Sequence, residues 1–370
     1  MSASSNQGAA ERITAVDFRE ESGKSAGGVD MDDWAIDLVY TWCDASDAAW
    51  RAKKDATAAA CGLAATARGN AACRFESNDE IRFAMRSAEK FVPWVRRVFL
   101  VIDDDITPPA WLRLDHPKLR IVRLSEIMPK EALPCFCSGT IEHHLARIPG
   151  LAARYVYSND DCMFGRPLAP SFFFARDGFP RFRFGGLRNP GPDARQANYN
   201  YICNMEQADR LIAETYPSPN GELAQASKRY PHHCIDAYVR DDVLDCFARF
   251  RDALLPTFAF PFRSPDKVQR VIYAYDAIAR GRGHFRLARL RVKERRAWWK
   301  RLLRPGYADS LQFFGDGWKT SLEMLRKWRP GLFCFNDTEA ATDADHAWLH
   351  EALESLFPIP SSFEKGGPTA

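Results

Sequence analysis

Four short runs of apolar and β-branched residues limit what this chain can fold into: AIDLVYTW (35–42), RVFLVID (97–103), LRIVRL (119–124) and RYVYSN (154–159). Each is bounded by polar residues and has the length of a strand buried in a sheet. Helical patterns fall between them. Asn78 can cap a helix over residues 79–91, with acidic Asp79 and Glu80 in the first turn where the helix dipole favours them, and residues 140–148 read as a short helix. Strands alternating with helices predict an α/β fold: a Rossmann-like, doubly wound, mostly parallel sheet with helical additions toward the C-terminus. In such sheets ligands sit at the carboxyl ends of strands.

The remaining segments are less regular. Residues 1–33 are polar and read as a disordered tail, and 51–72 are Ala-rich, as in a surface helix or an insertion. Residues 175–230, rich in Gly, Pro, Arg and Asn, read mostly as loop and short helices. Helices are expected over 236–256, 267–280 and 345–356, and a strand over 331–335. The 370 residues allow two domains or one large one with insertions. We expect a catalytic core over 34–278, a basic segment over 279–304 and a C-terminal part, 305–365, that completes the core.

A formal net charge of +3 excludes a polycation that coats nucleic acid, and no nucleic-acid partner is expected. No apolar run approaches the roughly 18–20 residues of a membrane span, and the first residues lack the pattern of a secretory signal. Ten cysteines contain no CxxC pair; Cys135 and Cys137 form a lone CxC. A cytoplasmic protein with reduced thiols is the expectation. The segment 279–304 carries eleven Lys or Arg against one Glu, with Trp298 and Trp299 among them. That make-up suits peripheral contact with the inner face of a plasma membrane, and equally a solvated basic helix or one that binds a polyanionic substrate.

Four islands concentrate chemistry. Tyr40 to Asp47 runs a strand into Asp44 and Asp47, which a simple Asx turn also explains. Asp160-Asp161 at a strand end is the ligand type for Mg²⁺ or Mn²⁺ shared with a diphosphate, or a capped loop. In Tyr230-Pro231-His232-His233 a histidine can act as a general base, although a single histidine is more often structural. Arg263, in Phe262-Arg263-Ser264-Pro265, offers a bidentate fork to a phosphate, and Asn336-Asp337 follow further on. Walker loops, a GxGxxG after a strand, GxSxG and HExxH are missing, which removes several nucleotide-binding, hydrolase and zinc-protease classes. The residues alone lead to an α/β enzyme, metal-dependent, that handles phosphate or a nucleotide.

Taken together, the islands resemble the Stealth protein family, which contains bacterial capsular polysaccharide phosphotransferases and the N-acetylglucosamine-1-phosphotransferase that tags lysosomal enzymes. The resemblance runs through IDLVYTWCDASD (36–47), through Arg74 to about Phe174, through about Tyr230 to Gly283 with YPHHCIDAYVRDDVL, and through Leu332 to Lys365 with FCFND. Two departures stand out. Cys137-Ser138-Gly139 replaces an asparagine-rich stretch, and Arg229 takes the place of the first histidine in a His-x-Pro-His pattern, so that either His232 or His233 can hold the family's histidine role. The resemblance favours His232.

It implies transfer of a sugar-1-phosphate from a UDP-sugar to a hydroxyl of an oligo- or polysaccharide acceptor, with release of UMP, in capsular or exopolysaccharide synthesis. It further implies that Asp160 and Asp161, with Asp44 nearby, hold Mg²⁺ or Mn²⁺, that His232 is the general base and that Arg263 clamps the transferred phosphate. Asn78, Asp79, Arg82, Glu142, His144, Arg147, His233, Asn336 and Asp337 are the expected substrate-binding residues. The rivals are a metal-dependent glycosyltransferase that releases UDP, and a non-catalytic protein that binds polysaccharide or membrane.

Overall fold

A computed structural model describes residues 34–64, 68–288 and 308–368. The tail expected over 1–33 and most of the basic segment, 289–304, lie outside the described residues. Strands β1 (Ile36–Thr41), β2 (Val98–Ile102), β3 (Leu119–Arg123), β4 (Arg154–Asn159) and β8 (Asp236–Val239) form the main sheet, in the order β3-β2-β1-β4-β8. All pairs are parallel except β4 with β8.

Alternation along the central strands shows why their sequences are apolar throughout. Leu38, Tyr40, Leu100 and Val156 enter one buried cluster; Val39, Phe99, Tyr155 and Tyr157 enter a second on the other face. A sheet covered on both faces needs apolar side chains at both parities. The α/β, doubly wound expectation holds. Asp37 is the one acid buried inside β1. Arg96 donates to both its oxygens at 2.8 and 2.6 Å, and the Ala152 amide donates at 2.7 Å, so the charge is paired at the strand's entry.

Two small sheets flank the main one. Strands β5 (Cys162–Phe164), β10 (Ser310–Phe314) and β11 (Leu332–Asn336) form the first, in the order β10-β11-β5. A side chain at Gly165 would collide with the Pro330 carbonyl and the Phe333 ring, so glycine lets β5 turn away beside β11. Strands β6 (Arg181–Leu187), β7 (Arg229–Pro231) and β9 (His284–Leu287) form the second, in the order β7-β6-β9.

Several sequence expectations change. The stretch read as loop over 175–230 holds β6 and the 17-residue helix Tyr199–Thr215. The expected helix at 236 begins instead as β8, and the helix that follows starts at Arg240. The Ala-rich segment is α1 (Ala48–Ala60), capped by the Asp47 carboxylate. Helix α2 (Glu80–Phe91) is not capped by Asn78. Asp79 stands at the N-cap in the left-handed region, φ 66°, and the Glu80 carboxylate accepts from both the Asn78 backbone and its side-chain amide.

Candidate active site

The carboxyl ends of β1, β2 and β4 open into a cavity of about 1120 Å³, as the strand-end rule predicts. Its floor is acidic. Asp160 and Asp161 follow β4 directly, and Glu80 enters from the first turn of α2. Burial, then Asp161 and Glu80, lift the Asp160 carboxyl well above the usual range. Burial and the Cys162 thiol push Asp161 up to about 7, and burial, with Asp161 adding to it, pushes Glu80 up to about 7. Three carboxyls that resist ionisation together form a site that a cation would relieve.

Asp161 is held from three sides. The Cys162 thiol donates to one oxygen at 3.3 Å; the Cys334 thiol and the Asn336 amide donate to the other, each at 3.2 Å. Asp161, His233 and Cys334 bring their donor atoms within 4.8 Å of one another. The Nε2 of His233 is buried and has no hydrogen-bond partner, and burial lowers the pKa of that ring. Burial thus favours the neutral imidazole of His233, which has a ring nitrogen close to Asp161.

His232 is placed differently. Its Nδ1 lies 3.0 Å from the Ser310 hydroxyl, and its Nε2 lies 3.3 Å from Asp236 Oδ1. Asp236 in turn meets Arg270 at 2.6 Å, and Arg270 meets Glu142 at 3.2 Å. The Tyr157 hydroxyl donates to Glu142 at 3.2 Å and lies 2.7 Å from Asn159 Oδ1. Against burial, Arg270 and then His232 hold the Asp236 carboxyl at about 2. His232 thus stands at the head of a buried ionic chain that ends beside Asp160, with Nδ1 on Ser310 and with Nε2 facing Asp236 but, like that of His233, making no hydrogen bond.

Arginines supply the positive side. Arg74, in the turn before α2, and Arg263, after Pro261, both line the cavity. Burial and then the Arg263 charge depress the Arg74 guanidinium to about 10. Arg263 donates to Ser138 Oγ at 3.0 Å. Asn336 and Asp337 line the cavity, and Asp337 lies 3.1 Å from His346 Nε2.

The remaining sequence candidates sit elsewhere. Asp44 lines a separate shallow pocket and accepts from the Ser46 amide at 2.8 Å, the Asx turn. Asn78 binds Glu80, and Asp79 accepts from the Trp111 indole at 2.6 Å. Arg82 reaches Glu364 at 2.6 Å, which Arg86 also holds at 2.7 Å. His144 is buried against Phe247 and Phe258 with its Nδ1 on the Thr140 carbonyl, and Arg147 lies over the Phe247 ring on the surface. None of these six lines the cavity. Sequence reasoning missed Glu80, Arg74, Asp236 and Arg270; Glu80 carried a signal, as an acid two residues past the predicted cap Asn78.

Among the described residues no helix is long and apolar enough to cross a membrane. Family models for Stealth protein conserved regions 1, 2 and 4 match residues 35–60, 74–182 and 323–370. The exopolysaccharide phosphotransferase CpsY of Mycobacterium tuberculosis is 33% identical over 345 residues, covering 89% of this chain and 58% of the relative. The exopolysaccharide phosphotransferase SCO6023 of Streptomyces coelicolor is 33% identical, with 89% and 52% covered. The capsular polysaccharide phosphotransferase SacB of Neisseria meningitidis serogroup A is 29% identical, with 89% and 57% covered. The chain spans little more than half the length of these relatives. The three conserved regions supply β1, the acid pair after β4, Glu80, Arg74 and the Asn336-Asp337 pair in their expected order, and the chain belongs to the Stealth protein family.

Proposed function

We propose that this protein transfers a sugar-1-phosphate from a UDP-sugar to a saccharide hydroxyl, forming a phosphodiester and releasing UMP. One observation supports this above others: Glu80, Asp160 and Asp161 share a cavity with His233, Arg74 and Arg263, in a member of a family whose relatives carry phosphotransferase names. Attack on a diphosphate requires its charge to be neutralised, the attacking hydroxyl to lose a proton and both oxygens to stand in line.

Asp160 and Asp161 would hold a divalent cation, with Glu80 adjacent. Bound there, the ion would neutralise pyrophosphate charge. The elevation of these carboxyls, burial first and then Asp161 acting on Asp160 and Glu80, fits a cation, and the oxygens suit Mg²⁺ or Mn²⁺. Asp44 is left out of this set because its carboxylate closes its own turn in another pocket. Arg263 and Arg74 bind the phosphates. His233 takes the proton of the acceptor hydroxyl: the Nε2 atoms of both histidines lack a hydrogen bond, but that of His232 faces Asp236 at 3.3 Å, and burial favours the neutral form of His233. His232, the choice on resemblance, serves instead to fix Asp236 and Ser310.

The test is product analysis with purified protein, Mg²⁺ or Mn²⁺, a panel of UDP-sugars and an oligosaccharide acceptor. UMP and a phosphodiester phosphorus signal are expected. UDP with a phosphorus-free product would make the protein a glycosyltransferase, and neither release would favour a binding role.

A further inference from the structure

Strand β10 was invisible in the sequence, and its residues divide cleanly by parity. Leu311 and Phe313 pack into the core that β11 also enters. Ser310, Gln312 and Phe314 line the active-site cavity. This is the two-residue period of a strand with one face on the core and one on open space. Phe313 is 5% exposed and its neighbour Phe314 is 49% exposed.

Register places this open face beside the reacting groups. Phe314 is opposite Asn336, whose amide holds Asp161. Gln312 is opposite Cys334, whose thiol also donates to Asp161. Ser310 meets His232. A second aromatic, Tyr199 at the start of the helix Tyr199–Thr215, is 52% exposed and lines the same cavity with Asn198 and Asn200. Among the described residues, six large apolar side chains are exposed; Phe314 and Tyr199 are the aromatic ones, and both face this cavity.

An aromatic ring left half in water forgoes the stabilisation it would gain by burial, unless a ligand covers it. Phosphate is not that ligand, because a phosphate calls for the guanidinium groups found at Arg74 and Arg263. A sugar ring fits. One face presents apolar C–H groups to an aromatic, and its rim presents hydroxyls to amide side chains such as Gln312, Asn198 and Asn200. The open face of β10 carries no charged group, so it suits an uncharged sugar.

We infer that the exposed face of β10, with Phe314 as its platform and Gln312 beside it, binds an uncharged saccharide ring of the acceptor next to Asp161, with Tyr199 covering a neighbouring unit. The inference rests on the transferase reading for the word acceptor, and on geometry alone for the saccharide site.

Two measurements on the full chain separate these. Calorimetry on UDP-loaded protein reads binding of maltoheptaose, chitotetraose and, for contrast, an anionic oligosialic acid. Turnover assays read the acceptor KM for whichever oligosaccharide supports UMP release. The variants are Phe314→Ala and Phe314→Trp, with UDP affinity as the check on the rest of the site. We expect Phe314→Ala to weaken neutral-oligosaccharide binding, and to raise acceptor KM where turnover occurs, on the order of tenfold, the loss of one partly buried ring. Phe314→Trp should stay close to the parent, and UDP affinity should not move. Failure of the parent to bind either neutral oligosaccharide would overturn the proposal, as would unchanged binding in Phe314→Ala or an equal loss of UDP affinity. Saccharide binding that depends on Phe314 without any UMP release would uphold this site and defeat the transferase reading.

Discussion

The side-chain amide of Asn336 donates to Asp161 Oδ2 at 3.2 Å, joining two residues 175 positions apart in the chain. With the Cys162 and Cys334 thiols, this bond fixes the orientation of the acid within the cavity. Removing it with Asn336→Ala should lower turnover or cation affinity by about 10- to 100-fold, the usual size for a group that orients a ligand. Circular dichroism and melting should stay near those of the parent, whereas an unchanged rate and cation affinity would show that Asp161 needs no such support.

The acid cluster itself should be indispensable to turnover and dispensable to folding. Asp160→Asn or Asp161→Asn is expected to abolish product formation, because the amide keeps the shape and removes the charge. Full activity in both variants would exclude them as the cation's ligands.

Protons and a cation compete for the same oxygens. Asp161 and Glu80 both titrate at about 7, above the ordinary carboxylate range. In the cation-free protein this elevation favours the fold at low pH and costs stability as pH rises from that ordinary range through 7. Mn²⁺ or Mg²⁺ affinity should therefore fall as pH drops from about 8 to about 6, with protons released on binding near neutrality. Isothermal calorimetry in buffers of different ionisation enthalpy measures that release; a pH-independent affinity would place the cation elsewhere.

The two histidines should behave differently. His233→Ala is expected to reduce kcat on the order of 100- to 10,000-fold with donor affinity retained. His232→Ala should act mainly on stability, because it unties Asp236 and Ser310. The opposite pattern, with the kcat loss in His232→Ala alone, would return the base role to the residue that the resemblance favours.

Glu364 anchors the C-terminal segment to α2 through Arg86 and Arg82. Against burial, which pushes the other way, Arg86, the Ser361 amide and Arg82 hold its carboxyl at about 2 instead of 4.5. A folded-state pKa below the unfolded one stabilises above pH 4.5, and the gain is lost as pH falls from 4.5 through 2. Acid unfolding of Glu364→Gln should lack this component between those limits, and the variant should be less stable than the parent at neutral pH.

The central sheet and the acid pair were legible because strands buried on both faces announce themselves as continuous apolar runs. The second and third sheets were not. Strand β10 alternates core and cavity residues over five positions, and β6 contains Arg181, Arg183 and two glycines, so neither reads as apolar. The resemblance places Asn78, Asp79 and Arg82 in the pocket that Glu80 enters instead. Helical geometry separates them: Arg82 and Arg86, four apart, share the face that meets Glu364, and Glu80 lies roughly 200° round the axis from Arg82. Adjacent histidines differ for the same kind of reason. His143 lines the cavity and His144 packs away from it, and no pattern in the letters distinguishes the two.

The pairing of β5 with β11 has a consequence for biosynthesis. Among the described residues, β5 joins a sheet through β11 alone. A nascent chain that has already emitted Asp161 therefore carries a strand with an unsatisfied backbone edge until Leu332–Asn336 leaves the ribosome. Asp161 and its amide support are thus assembled near the end of translation, and the stretch between them is synthesised while the cavity is still open. Such an intermediate is a natural client for a chaperone that shields unpaired strands.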